Sequence, residues 1–352
     1  MSALLTELAL TTPIVQAPMA GVSTVALAAA VCQAGGLGSL GLGHLSTAQA
    51  REQIQQLTAQ TDRPFNVNFF AHQPALPFPA REQQWLELLT PYFSEFQAAV
   101  PKNLGSGYQS AVNNPELIQM LIEEKPPIVS FHFGLPELEA VQQLQQAGIR
   151  VWGCATNLYE ALALQKAQVD AIIAQGVEAG GHRGLFDPHT DMHMGLFSLL
   201  PVLKQYISLP LIAAGGIMTG SSIAAALHLG ADLAQMGTAF ILCPESAADA
   251  MYRANLQSAK ALETAITPVI SGRPARGLKN RMHSEIHELI EFLPDYPIAY
   301  NAAKALHAAA RQHNNAEFAA HWAGQGAPLA RALPAADLMQ LLKSELQVAL
   351  NH

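Results

Sequence analysis

The chain has 352 residues, with 27 acidic against 19 basic side chains and a formal net charge of −8. That balance, with no basic stripe, excludes a nucleic-acid binder, and a composition that is half hydrophobic and only 13% charged supports a large core in one or two domains. The three cysteines, Cys32, Cys154 and Cys243, are far apart and odd in number; they offer no disulfide framework or metal spacing and point to a reducing cytoplasm.

No Asp, Glu, Lys or Arg occurs between Glu7 and Arg51. Pro13, Pro18, Gly21, Gly35, Gly36, Gly38, Gly41 and Gly43 break this stretch, so it reads as a buried β-α-β unit and not as a membrane span. The start of the chain carries Glu7 without Lys or Arg, unlike a secretory signal. Short apolar runs then recur along the chain. The strand candidates are Pro13–Ala17, Leu37–Gly41, Phe65–Phe69, Ile128–Phe131, Val151–Cys154, Ala171–Gln175, Leu211–Ala214 and Leu233–Met236. Most lack period-two alternation, which indicates parallel strands covered on their outer face. Helices are expected at Ser23–Ala34, from Ser46 or Thr47 to Ala59, and at Pro136–Ala147, Asn157–Ala167 and Ser221–Leu229; Pro136 should lie in the first turn of its helix. Eight β/α units predict an α/β fold, a TIM (β/α)8 barrel, with a doubly wound open sheet as the alternative.

Two regions exceed the barrel. Residues 71–114 are a long excursion between the third and fourth strands. The segment after the eighth strand is helix-like at Ser246–Ser258 and Tyr300–His313, with a Pro- and Gly-broken middle. We therefore expect a barrel over 1–243, a smaller helical substrate or lid domain over 244–320, and a returning segment over 321–352 that holds an amphipathic helix at Asp337–Leu350.

Chemistry in such a barrel lies where strands end. The sixth strand runs into Gln175-Gly176-Val177-Glu178-Ala179-Gly180-Gly181-His182-Arg183-Gly184. That loop has four glycines and an imidazole that can titrate near neutrality. Gly215-Gly216 after the seventh strand and Gly237-Thr238 after the eighth present backbone N–H groups toward one anion; tight helix–strand packing is the bland alternative. Asn68 and Gln175 are inward amides suited to a pyrimidine-like ring edge such as that of a flavin, or simply to one another. Met19 can pack on a ring face or fill core. His132 ends a strand between two phenylalanines. His189 and His193 lie near Asp187 and Asp191 without metal-site spacing, so no metal is expected. Arg273, Arg276, Lys279 and Arg281 either greet an anion or pair with Glu285, Glu288 and Glu291. Gly36-Leu37-Gly38-Ser39-Leu40-Gly41 precedes and spans a strand, so it is not a dinucleotide fingerprint.

Taken in order, several motifs resemble the bacterial class I nitronate monooxygenases, formerly 2-nitropropane dioxygenases. They are Gln16-Ala17-Pro18-Met19, Phe65-Asn66-Val67-Asn68, Ser130-Phe131-His132-Phe133-Gly134, the Gly–His loop, and Gln235-Met236-Gly237-Thr238-Ala239-Phe240. Ser271-Gly272-Arg273 with Ala275-Arg276-Gly277, and Trp322-Ala323-Gly324-Gln325-Gly326, continue the match. The resemblance implies FMN held by Met19, Asn68, Gln175, Gly180, Gly216, Gln235, Met236, Gly237 and Thr238. It implies His182 as the catalytic histidine, with Tyr108, His132, Tyr296, Tyr300 and Lys304 around the substrate. It further implies oxidative denitrification of alkyl nitronates, propionate 3-nitronate among them, with O2 to a carbonyl compound and nitrite. Protonated or donating His182, Lys304 and the tyrosine hydroxyls would anchor the anion. A small anionic substrate and O2 are the expected partners, with no nucleic acid or membrane, in a monomer or homodimer. A NAD(P)H:quinone reductase or a flavin-dependent enoyl-ACP reductase resembles the same Gly–His loop, and a flavin- or phosphate-binding sensor without turnover is the non-enzymatic alternative.

Overall fold

The computed structural model describes residues 2–105 and 107–351. Its strands are β1 (Ile14–Gln16), β2 (Gly38–Gly41), β3 (Phe65–Phe70), β4 (Ile128–His132), β5 (Arg150–Ala155), β6 (Ala171–Gln175), β7 (Gly181–His182), β8 (Leu211–Ala214), β9 (Leu233–Met236), β10 (Thr264–Thr267) and β11 (Ala275–Leu278). Eight of them form one parallel sheet, in the order β1-β9-β8-β6-β5-β4-β3-β2. Its two ends meet: the Leu37 amide donates to the Ile14 carbonyl and the Gln16 amide to the Leu37 carbonyl, each at 2.9 Å. The barrel is closed, and the eight expected strands lie within one residue of their expected ends.

The continuous apolar character of these strands follows from burial on both faces. Inside, Val15, Leu37, Ile128, Trp152, Ile173, Ile212 and Leu233 pack together with Leu4, Leu5, Leu8 and Leu10. The helix Ala3–Glu7 thus plugs the end of the barrel where the strands begin. Outside, Ile14, Val67, Val129, Val151, Ile172 and Ala234 meet the surrounding helices. Those helices start where side chains can cap them. Thr24 accepts from the Leu27 amide, Ser46 forms a reciprocal box with Gln49, and Asn157 and Thr219 do the same service for Glu160 and Ser222. One expected start is corrected: the helix after β4 is Leu138–Gln146, so Pro136 precedes it and does not lie in its first turn.

A second core covers the C-terminal ends of the strands. Trp85, Leu86, Leu89 and Phe93, from the helix Pro79–Glu95, pack with Met282, Ile286, Leu306 and Phe318. The excursion after β3 and the segment after β9 therefore share one apolar interior. The expectation that the latter segment is helical needs amendment. Its Pro- and Gly-broken middle holds the antiparallel pair β10–β11, and β11 also pairs with β7. Thr264, Ile266 and Thr267 are β-branched, a strand signal that the nearby Pro268, Gly272 and Pro274 disguise. Among the described residues no helix is long and apolar enough to cross a membrane.

The last helix, Ala335–Leu350, lies against Gly220–His228 and Val25–Gln33 and so fastens the end of the chain to the barrel. Leu342 is fully buried there. We expect Leu342→Ala to cost about 2–5 kcal/mol, read as a fall in thermal midpoint; an unchanged midpoint would show that this helix is not part of the folded core.

Candidate active site

The strand ends and the second core enclose a cavity of about 710 Å³, within the range of small-molecule and cofactor sites. Met19, Asn68, His132, Gln175, Gly180, His182, Gly216, Gln235, Gly237 and Thr238 line it from the barrel, and Tyr108, Tyr300 and Lys304 from above. Residues from distant parts of the sequence are thus brought together as expected, with two exceptions. Met236 is buried in the outer core: strand alternation turns Gln235 inward and Met236 outward. Tyr296 stands behind the wall. Its ring contacts His72 at 4.9 Å, Phe133 at 5.2 Å and His182 at 5.5 Å between centroids, and its hydroxyl is buried without a partner.

An arginine organises this mouth. The Arg183 side chain has no solvent exposure and pairs with Asp191 at 2.8 Å. Its Nη1 also donates to Gln175 Oε1 and to the Gly176 carbonyl, each at 2.9 Å. The Gly184 amide donates to the same Gln175 oxygen at 2.8 Å, while Gln175 Nε2 donates to the His182 carbonyl at 2.9 Å. The Gln175 amide, expected to meet a ring edge, is thereby largely committed to the protein. The neighbouring glycines serve close packing as well: a Cβ on Gly180 would sit 2.5 Å from the Gly324 amide nitrogen. Burial alone would raise the Asp191 carboxyl, but Arg183 and the His193 amide outweigh it and hold it below the usual range.

His182 is neutral. Burial, then the proximity of His132, Arg273 and His72, pushes it down to about 3. Its Nε2 lies 2.8 Å from Ser271 Oγ. The Ser271 hydroxyl donates to the Arg273 carbonyl at 3.2 Å, so by hydrogen-bond pattern it accepts from His182. That assigns the ring proton to Nε2 and leaves Nδ1, which is neither bonded nor sealed among the described residues, as an acceptor. A proton donated from Nδ1 to a substrate anion is not what this hydrogen-bond pattern favours. His132 Nε2, 3.1 Å from the His182 carbonyl, must donate, and burial pushes this ring down to about 4. The two donors on one carbonyl fix the short β7.

The cations divide into spent and free. Arg273 lies 4.4 Å over the Phe133 ring and donates to the Leu185 carbonyl at 2.7 Å; burial lowers it to about 10. Arg276 donates to the Val177 carbonyl at 3.0 Å, and Arg281 pairs with Glu95 and Glu285. Three of the four residues in the basic run thus do structural work, and Lys279 lies 3.7 Å from Glu263. Lys304 differs. Its Nζ sits 4.1 Å over Tyr108 and 4.7 Å over Tyr300, it forms no ion pair among the described residues, and burial lowers its pKa. Trp322 Nε1 donates to the Tyr300 hydroxyl at 3.3 Å, which leaves the Tyr300 proton free.

Several liners escaped the sequence reading. His44, Phe70, Asp249, Tyr252, His307, Arg311 and His321 all face the cavity. Tyr252 stacks on His321 at 4.4 Å, a pair separated by some seventy positions in the chain and without a local signal. Trp322 stood in a recognisable motif but had no role; its ring is 5.3 Å from that of His182.

The family profile described as nitronate monooxygenase matches residues 2–345. A nitronate monooxygenase from Pseudomonas aeruginosa is 52% identical over 95% of this chain and 96% of its own length. The structure of nitroalkane oxidase from Streptomyces ansochromogenes superposes with a TM-score of 0.90 at 38% identity, covering 99% of both chains. That of FabK from Thermotoga maritima gives 0.75 at 27% identity, covering 100% of this chain and 97% of the other.

Buried neutral imidazoles make the fold acid-sensitive. His72, His132, His283 and His321 are pushed down to about 4, chiefly by burial, and His182 to about 3. Unfolded, such groups titrate near 6.5, so below that pH the unfolded chain binds more protons and stability falls. The thermal midpoint should therefore drop progressively between about pH 6.5 and pH 4; a midpoint that holds or rises over that window would contradict the assignment.

Proposed function

The chain belongs to the nitronate monooxygenase family of oxidoreductases, and from that premise we propose that it binds FMN at the strand ends and oxidises alkyl nitronates, propionate 3-nitronate among them, with O2 to a carbonyl compound and nitrite. The observation that carries this reading is a set of unmatched hydrogen-bonding groups among the residues that line the cavity. Gln235 Oε1 is buried without a donor, and Asn68 Oδ1 takes none while its Nδ2 donates to Ser130 Oγ at 3.0 Å. The amides of Gly216, Ile217, Gly237 and Thr238 donate to no protein acceptor among the described residues. Gly216 has φ +67, a turn that favours glycine and leaves its amide open. Acceptors suit the N–H of a uracil-like ring, and clustered amides suit a phosphate. The residues present therefore fit a flavin mononucleotide.

Bound there, the flavin would supply the one-electron chemistry that the side chains lack. The chain's own groups bind and orient. Lys304 offers an uncommitted positive charge to an anion, and the Tyr300 hydroxyl offers a directed proton. Neutral His182, its N–H turned to Ser271, offers a hydrogen-bond acceptor. Tyr108, Tyr300 and Trp322 wall the substrate position and restrict water.

Aerobic turnover of propionate 3-nitronate with nitrite release tests the reading, and rapid anaerobic oxidation of NAD(P)H without nitrite release would favour a reductase instead. Removing the charge with Lys304→Met should raise KM about tenfold to a hundredfold, the equivalent of one charge-assisted hydrogen bond. An unchanged KM would remove Lys304 from the substrate site.

A further inference from the structure

We infer that Arg311 is an anion-capture site at the mouth of the cavity, occupied at rest by Asp249 and delivering anionic substrate to Lys304. The inference rests on the nitronate reading and identifies how a negative substrate reaches a negative protein.

Apart from Gly216 at the strand ends, the solvent-exposed liners of the cavity fall on two lips. Ala20, Gly21 and Ala247 form the barrel lip, tied together where the Ala247 amide donates to the Val22 carbonyl at 2.9 Å. Lys304 and Arg311 form the other, on the helix Ile298–Gln312. Seven helical positions place these two cations about 10 Å apart along the axis, at a spacing that keeps both on one face. His307 lies between them on the same wall, and burial lowers its pKa, so it adds no positive charge of its own to the path.

Asp249 belongs to the barrel lip. Its Oδ1 caps the helix Ala250–Leu256 through the Tyr252 amide at 2.9 Å, and its Oδ2 stands 3.8 Å from Arg311 Nη2. This contact spans the mouth. It is long and solvent-exposed, with Arg311 at 61% and Asp249 at 31%, so it is weak and exchangeable. An incoming anion can take the guanidinium from Asp249, and Lys304, which holds no carboxylate, then draws it inward. A chain with a net charge of −8 repels anions at long range, which makes a local cationic path matter for the rate of capture.

The test combines two substitutions with ionic strength. Arg311→Gln removes the receptor, and Asp249→Asn removes the resting competitor while keeping a good helix cap. Measured on the flavin-loaded protein at low salt, kcat/KM for propionate 3-nitronate should fall about tenfold in Arg311→Gln and rise severalfold in Asp249→Asn, and both differences should shrink at high salt. Calorimetric titration of nitrate, a planar anion, into the flavin-free protein should show the same order of affinities without turnover. A loss in Arg311→Gln that is independent of salt, or a fall in both assays for Asp249→Asn, would overturn the inference. If nitrate binding follows the expected order while wild-type protein releases no nitrite from nitronate, the capture site stands and the proposed reaction falls.

Discussion

A guanidinium without solvent access holds the working end of this barrel in place. Arg183 can be buried only because Asp191 matches its charge and the Gln175 side chain and Gly176 carbonyl take its remaining protons. This arrangement turns Gln175 into a strut whose amide grips the carbonyl of His182, and His132 grips the same carbonyl from the other side. With β7 so fixed and paired to β11, the second core has a rigid edge on which to rest. The cavity between them keeps its shape because its walls are settled by the protein, while Gln235 and the amides after β8 and β9 are left for something else.

The site is neutral where it is deepest and cationic toward solvent. Burial, with His132, Arg273 and His72 close by, suppresses protonation of His182, so the imidazole of the glycine loop offers an acceptor. Positive charge sits instead on Lys304, poised over two tyrosine rings, and on Arg311 at the rim. This gradient suits a substrate that arrives already ionised, since no strong base is needed where the proton has gone before binding.

The barrel was legible because its strands are continuously apolar and end in polar or glycine residues, so Gln16, Asn68, Gln175 and Gln235 mark the rim in the sequence itself. Side-chain direction was harder. Met236 was grouped with Gln235 although a strand cannot turn both inward. Tyr296 and Tyr300, four apart, read as equivalent, yet the first precedes the helix and faces the Phe133 side of the wall. The β10–β11 pair was hidden by its prolines, and the stacked Tyr252–His321 pair depends on tertiary contact alone. The four-glycine loop carried both of its candidate meanings: Gly180 is required by packing against Gly324, and the loop still delivers His182 to the cavity.

The central claim is that the unmatched groups at the rim belong to a flavin. The most direct measurement is a crystal structure of the protein grown with FMN. The account expects the ring's uracil-like edge on Asn68 and Gln235, the phosphate on the amides of Gly216, Ile217, Gly237 and Thr238, and the Gln175–Arg183 contact intact. Density for the flavin elsewhere, or a Gln175 released from Arg183 to meet the ring, would contradict it.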